Sequence, residues 1–389
     1  MKQPDYSQRQ SARFPRNLAS RRTLILTMIG TLTLLMACAS ASYTNDSVSS
    51  TATEAGGEMS AQSAYTGQWM IEFKTGEEKV QFSFRYGSRD GEGFGGYSNT
   101  SFRIASDQLV GLTREQAMSS AGTRVQFQLK RDAGTIICEG WFKNGQGSGH
   151  FTFSANPAYA AELKKQGYNS PTSEQQFSMA LHDVSFAFIE ELQAQGYPRT
   201  TVEQLVDTGE HGVSLEYLRG LKALGYVLRS VDALIEMRDH GVSLNFIREM
   251  AALGYERLSA ERLVEAKDHG VNPDFVREFE AAGYSRLPLE ELIELKDHGV
   301  NAKFISELAA LGYAKLQPEQ LRDMKDHGVS PGFIRDIKQL GYTDVTVDQL
   351  IRLRDHGVTA SFIQKMRERG HQNPTLEQLI DLRDRGDEG

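Results

Sequence analysis

Seven of the nine histidines in this chain stand at a fixed spacing of 29 residues, at positions 182, 211, 240, 269, 298, 327 and 356. From His240 onward an aspartate precedes each one: Asp239, Asp268, Asp297, Asp326 and Asp355. A row of imidazoles beside carboxylates has the residue types for metal ligation or proton relay. The spacing opposes metal. Equivalent positions in stacked helical units lie about 9–10 Å apart, whereas zinc–nitrogen bonds of about 2.1 Å need ligand nitrogens within about 3–4 Å of one another. The expected role is therefore structural, with each His in the last turn of a helix donating to free carbonyls and matching the helix dipole. Arg385 takes the eighth position and fits that role, since Arg donates but ligates no metal. A summed pH response of the imidazoles is the residual chemistry.

Other candidate groups are weaker. Gly91-Glu92-Gly93-Phe94-Gly95-Gly96 satisfies G-x-G-x-x-G, but no βαβ unit surrounds it, so a glycine-rich loop between strands is expected. Cys138 lies in an apolar stretch and reads as a small buried hydrophobe. No nucleophile–base pair, metal spacing or phosphate loop stands in a suitable context, and no catalysis, cofactor or metal is expected. The net charge of −8 opposes nucleic acid as a partner. Two cysteines build no disulfide framework.

The N-terminus reads as an address. Residues 1–22 hold six positive residues and one acid, and an uncharged run follows from Thr23 to Ala37. Fifteen residues suit a signal-peptide core and fall short of a membrane span. The sequence Leu35-Met36-Ala37-Cys38 resembles the bacterial lipoprotein lipobox, which implies lipidation of Cys38 and a membrane anchor. Cleavage at an A-x-A site within Ala37–Ala41 is the alternative, and Ser20-Arg21-Arg22-Thr23-Leu24 also resembles a twin-arginine signal. Residues 38–66 are rich in Ser, Thr, Ala and Gly and are expected to form a flexible tether. Loss of residues 1–37 takes the net charge from −8 to −13.

Residues 67–154 show an apolar period of two, as in Trp69, Ile71 and Phe73, then Val80, Phe82 and Phe84, then Val125, Phe127 and Leu129. Turn residues separate these runs, notably Thr75-Gly76, Asp132-Ala133-Gly134 and Asn144-Gly145. Five or six antiparallel strands in a meander or small barrel are predicted, with one short helix at Leu112–Met118. Gly67-Gln68-Trp69 resembles the opening of lipocalin barrels, but the segment is too short for their eight strands.

Residues 155–389 repeat with a period of 29. Gly-Tyr occurs at 167, 196, 225, 254, 283, 312 and 341, and His-Gly-Val begins at 211, 240, 269, 298, 327 and 356. Each unit predicts two helices of about 10–12 residues. In one unit Ser259 caps a helix that ends at His269, and Gly270 takes the left-handed position. Asn272 then caps a second helix, which starts at Pro273 and ends at Gly283. The defining residues are His211, His240, His269, His298, His327 and His356, with Gly241, Gly270, Gly299 and Gly328, then Tyr255, Tyr284 and Tyr313, and Phe246, Phe275, Phe304 and Phe333. Eight such units predict an α-solenoid, with Asp183, His371 and Arg385 marking degenerate ends. The fold class expected is an α+β multidomain chain.

The pattern Leu-x-x-Leu-x-Asp-His-Gly-Val-x-x-x-Phe-Ile-x-x-Leu-x-x-Leu-Gly-Tyr is clearest at residues 292–313. It resembles repeat tails of bacterial sensor metallopeptidases of the BlaR/MecR type, and residues 139–142 and 149–153 resemble the β segment beside such tails. The resemblance implies an envelope setting and a signalling context. The metallopeptidase motif H-E-x-x-H is absent, so no peptidase activity is implied. The expectation is a non-catalytic envelope lipoprotein that binds a protein or peptide. An accessory sensor, with the β domain sensing and the repeats transmitting, is the alternative.

Overall fold

The computed structural model describes residues 65–87 and 97–386, which belong to one compact unit. The signal peptide, Cys38, most of the tether and the Gly91–Gly96 loop lie outside the described residues. No helix among the described residues is long and apolar enough to cross a membrane.

Seven antiparallel strands form one sheet: β1 (Tyr65–Glu72), β2 (Lys79–Gly87), β3 (Tyr97–Ala105), β4 (Leu109–Val110), β5 (Thr123–Arg131), β6 (Gly134–Lys143) and β7 (Gln146–Ala155). Their order is β3-β2-β1-β7-β6-β5-β4. The two edge strands are consecutive in sequence, and only Ser106–Gln108 join them. The edges therefore converge there, and the sheet curls into a half-barrel. The period-two pattern places Trp69, Phe82, Phe127 and Phe151 inside and Gln68, Arg85 and His150 outside. Asn144 and Gly145 both have positive φ, 52° and 83°, as the tight β6–β7 hairpin requires. Helix α1 (Arg114–Met118) starts on a capping box between Thr113 and Gln116, at the predicted short helix. The sequence expectation of five or six strands missed β3 and β4. On β3, Phe102 and Ile104 are the only large apolar residues between Ser98 and Ala105, and β4 is two residues long.

Trp69 is the centre of this core. Its ring meets Phe127 at 5.0 Å and Phe142 at 5.6 Å, and its Nε1 donates to the carbonyls of Glu139 and His150 at 3.2 and 3.0 Å. Gly140 and Gly149 face each other across β6 and β7. A Cβ on Gly140 would come within 2.6 Å of the indole, so glycine is what lets the ring lie on the strands.

Sixteen helices of nine residues follow the sheet: α2 (Pro157–Lys165), α3 (Ser173–Leu181), α4 (Phe186–Ala194), α5 (Val202–Glu210), α6 (Leu215–Ala223), α7 (Val231–Asp239), α8 (Leu244–Ala252), α9 (Ala260–Asp268), α10 (Pro273–Ala281), α11 (Leu289–Asp297), α12 (Ala302–Ala310), α13 (Pro318–Asp326), α14 (Pro331–Gln339), α15 (Val347–Asp355), α16 (Ala360–Glu368) and α17 (Leu376–Asp384). The predicted 10–12 residues per helix is met only when both caps are counted. Nine residues are too few for a helix to stand alone in water, so neighbours must supply the stability. Odd-numbered helices pack on the next odd helix, as α5 on α7 and α13 on α15. Even-numbered helices pack on the next even one, as α6 on α8 and α12 on α14. This is a helical repeat region.

The sheet and this region share one core. Phe177 of α3 stacks on Tyr65 at 4.6 Å and Phe151 at 5.6 Å, and meets Tyr86 and Phe153 edge-on. Beside it stands Gln176, at the position where later odd helices carry core leucines such as Leu205 and Leu234. The buried Gln176 amide donates to the carbonyls of Ala133 and Asn156, at 2.7 and 2.8 Å. The Asp132 carboxylate accepts the Phe186 N–H, and Arg131 pairs with Asp183 at 3.3 Å.

Candidate functional site

The singled-out histidines, glycines and aromatics gather where one helix pair meets the next. Take the end of α9. The Gly270 N–H donates to the Lys267 carbonyl at 3.1 Å, and the Val271 N–H donates to the Ala266 carbonyl at 2.8 Å. This is the paired-bond termination that a left-handed residue permits, and Gly270 has φ 70°. Gly241, Gly299 and Gly328 have the same conformation, between 69° and 71°. Asp183 takes it after α3, with φ 58°.

These backbone bonds already occupy carbonyls of the last turn. The imidazoles consequently do not donate to them, as the sequence suggested, but reach forward. Nδ1 of His211 lies 2.6 Å from Oδ1 of Asp239, His269 2.8 Å from Asp297, and His298 2.6 Å from Asp326. His327 lies 2.5 Å from Asp355, and His356 2.8 Å from Asp384. His240 pairs in the same way with Asp268. The aspartate before each histidine thus serves the preceding histidine, 28 residues away. Asp355 and the neighbouring Asp323 and Asp326 carboxylates hold the His327 imidazole above its ordinary pKa. His182 has Glu210 at the equivalent forward position, and burial pushes its pKa down.

A second rung lies beside the first. Two residues before each histidine, from His240 onward and at Arg385, comes a cation. It sits over the aromatic ring of the preceding pair. Lys267 covers Phe246 at 5.1 Å, Lys296 covers Phe275 at 4.6 Å, Lys325 covers Phe304 at 4.3 Å, and Arg354 covers Phe333 at 5.2 Å. Arg238 over Tyr217 and Arg383 over Phe362 extend the row. Sequence reasoning missed these cations, although their fixed offset from the histidines was legible.

The Gly-Tyr ends form a third rung. Tyr255, Tyr284 and Tyr313 each donate their hydroxyl to a backbone carbonyl 32 residues on, those of Leu287, Leu316 and Val345, at 2.6–2.7 Å. Burial pushes the Tyr255 phenol up to about 12, so the hydroxyl remains a donor. Among the described residues, no group of three or more His, Cys, Asp or Glu could hold a metal ion. Cys138 is fully buried, and that burial raises its thiol pKa.

The exposed positions divide by helix. The second residue of the odd-numbered helices is acidic from α5 on: Glu203, Asp232, Glu261, Glu290, Glu319, Asp348 and Glu377. At the second residue of the even-numbered helices, Glu216, Asn245, Asp274, Lys303 and Ser361 are exposed and differ from unit to unit. No protein-family model matches the chain, and no curated protein matches it.

Proposed function

We propose that this chain is a non-catalytic, lipid-anchored bacterial envelope protein whose helical region is an α-solenoid of eight 29-residue, two-helix units that binds a protein or peptide. The observation that carries the reading is the division between constant and variable positions. His, Asp, Tyr, aromatic and cation side chains of the consensus are engaged between neighbouring units. Exposed positions vary, among them the second residue of the even-numbered helices, Glu216, Asn245, Asp274 and Lys303. Solenoids present extended surfaces of this kind to partners. The acidic odd-numbered helices disfavour nucleic acid.

Crosslinking in cells, followed by immunoprecipitation and mass spectrometry, tests this reading. Exchange of Asn245, Asp274 and Lys303 for alanine should abolish a saturable partner, while exchange of the acidic Glu261 and Glu290 should not. The reading is overturned if no partner is captured or if the two variants behave alike. For the anchor, a Cys38→Ala chain that still fractionates with membranes refutes lipidation.

The second reading is an accessory sensor of an envelope or antibiotic-response system. The shared core at Phe177 and Gln176 favours it, because a change in the sheet would be felt directly by α3. Binding to the sheet that leaves hydrogen exchange of α3 and α5 unchanged would refute it.

A further inference from the structure

Four large apolar side chains stand exposed among the described residues, and two of them lie in one cross-strand row on the outer face of the sheet. They are Met70, 63% exposed, and Trp141, 52% exposed. Met70 pairs with Ser148 across β1 and β7, and Ser148 pairs with Trp141 across β7 and β6. One side of the indole lies against Gly122, where a Cβ would come within 2.6 Å of Nε1. The inner core does not need this ring, because the opposite face of β6 supplies Cys138 and Phe142.

A depression of about 440 Å³ over β1 is lined by Gln68, Met70, Ser83, Asn99, Ser148 and His150, and Trp141 stands beside its Ser148 wall as the cross-strand neighbour of that serine. It shares Gln68, Arg85 and His150 with a neighbouring depression of about 400 Å³, and Met70, Ser83 and Ser148 with another of about 410 Å³. The three form one trough along β1 from Thr66 to Glu72, roughly 20 Å at about 3.4 Å per residue. The side chains of Gln68, Asn99, Ser148 and His150 line it and make no side-chain hydrogen bond to another described residue.

We propose that this trough binds a linear oligosaccharide. Amide, hydroxyl and imidazole groups match the vicinal hydroxyls of sugar rings, and the open indole face and Met70 suit their C–H faces. Two features oppose an extended peptide. The backbone groups of β1 are already paired on both sides, so no strand can add there. Along the trough Met70 is the one large exposed apolar side chain, so there is no row of apolar pockets for peptide side chains. A polyphosphate is disfavoured because the trough's lining holds one Arg, Arg85, and one carboxylate, Glu72, and no cluster of cations.

The test is calorimetric and fluorescence titration of the full chain with the linear N-acetylglucosamine tetramer and with cellotetraose. Trp69 is buried, so a fluorescence change reports chiefly on Trp141. Saturable binding of either sugar is expected. Gln68→Ala and Trp141→Ala should each weaken it about tenfold, the effect of losing one good contact, with the unfolding midpoint unchanged. The two sugars separate recognition of acetamido groups from recognition of hydroxyls. The proposal is overturned if neither sugar gives saturable heat at millimolar concentration or if both variants bind like the parent. It is equally overturned if the same variants instead abolish self-association or capture of an apolar peptide. It stands on the sheet alone, so failure here leaves the solenoid reading intact.

Discussion

Replacing Phe177 with alanine should split one folding unit into two. Phe177 is 1% exposed and touches four aromatic rings of the sheet, with centroids 4.6–5.6 Å away. Truncating a buried Phe to Ala typically costs about 3–5 kcal/mol. The upper end applies here, because each aromatic pair adds about 0.5–1.5 kcal/mol beyond its buried area. That loss falls on the join between sheet and helices, leaving each part's own packing intact. Two probes read the parts separately. Both tryptophans, Trp69 and Trp141, lie in the sheet, so fluorescence follows the sheet alone. Circular dichroism at helical wavelengths follows the sixteen helices. In the parent chain the two urea transitions should coincide, as in a cooperative unit. In Phe177→Ala the fluorescence transition should move to lower urea by several kcal/mol, while the helical transition moves less. Coincident transitions in the variant, shifted by under about 1 kcal/mol, would refute the claim that α3 completes the core of the sheet.

Other consequences are equally measurable. The raised pKa of His327 comes first from its bond to Asp355. Its contribution is therefore full below the ordinary imidazole value of 6.5 and is lost as pH rises through the folded pKa. Urea midpoints on either side of that value should show an acid-side gain that Asp355→Asn removes, and an unchanged pH profile in the variant would count against the pairing. Gly270→Ala forces a Cβ into φ 70° and should cost about 1–2 kcal/mol in thermal unfolding. Tyr284→Phe leaves the Leu316 carbonyl without its donor and should cost about 0.5–1.5 kcal/mol, with a folded spectrum retained. Cys138 should resist a maleimide under native conditions and react once the chain unfolds, and rapid native labelling would contradict its burial.

Much of this fold is legible in the sequence because glycine and capping residues carry local meaning. Gly270 and Gly283 end helices where only a left-handed residue fits, and Asn272 with Pro273 opens one, so the bounds of α9 and α10 follow without tertiary information. The direction of the histidine bonds does not follow. Asp268 and His269 are adjacent in the chain and suggest a local pair, yet they belong to successive rungs of the ladder and bond to different partners. Only the packing of α9 against its neighbours reveals that Asp268 answers His240 and His269 answers Asp297. The sheet junction left a trace that went unread. Gln176 stands where later units have leucine, a polar residue at a core position, and its two buried carbonyl partners explain it. Strand β3 left almost none, because a mostly polar edge strand lacks the alternation that identifies its neighbours.

The forward reach of the imidazoles fixes where the histidine ladder can be cut. From His211 to His356 each ladder histidine bonds to an aspartate 28 residues further on, so residues 269–297 run from one histidine to the aspartate that answers it. Excising that stretch would join Asp268 to His298. His240 would keep Asp268, His298 would keep Asp326, and no imidazole or carboxylate of the ladder would be stranded. The ladder itself would therefore survive such a cut, like a ruler cut at its marks, whereas Arg262 would lose Glu290 and Glu249 would lose Arg277.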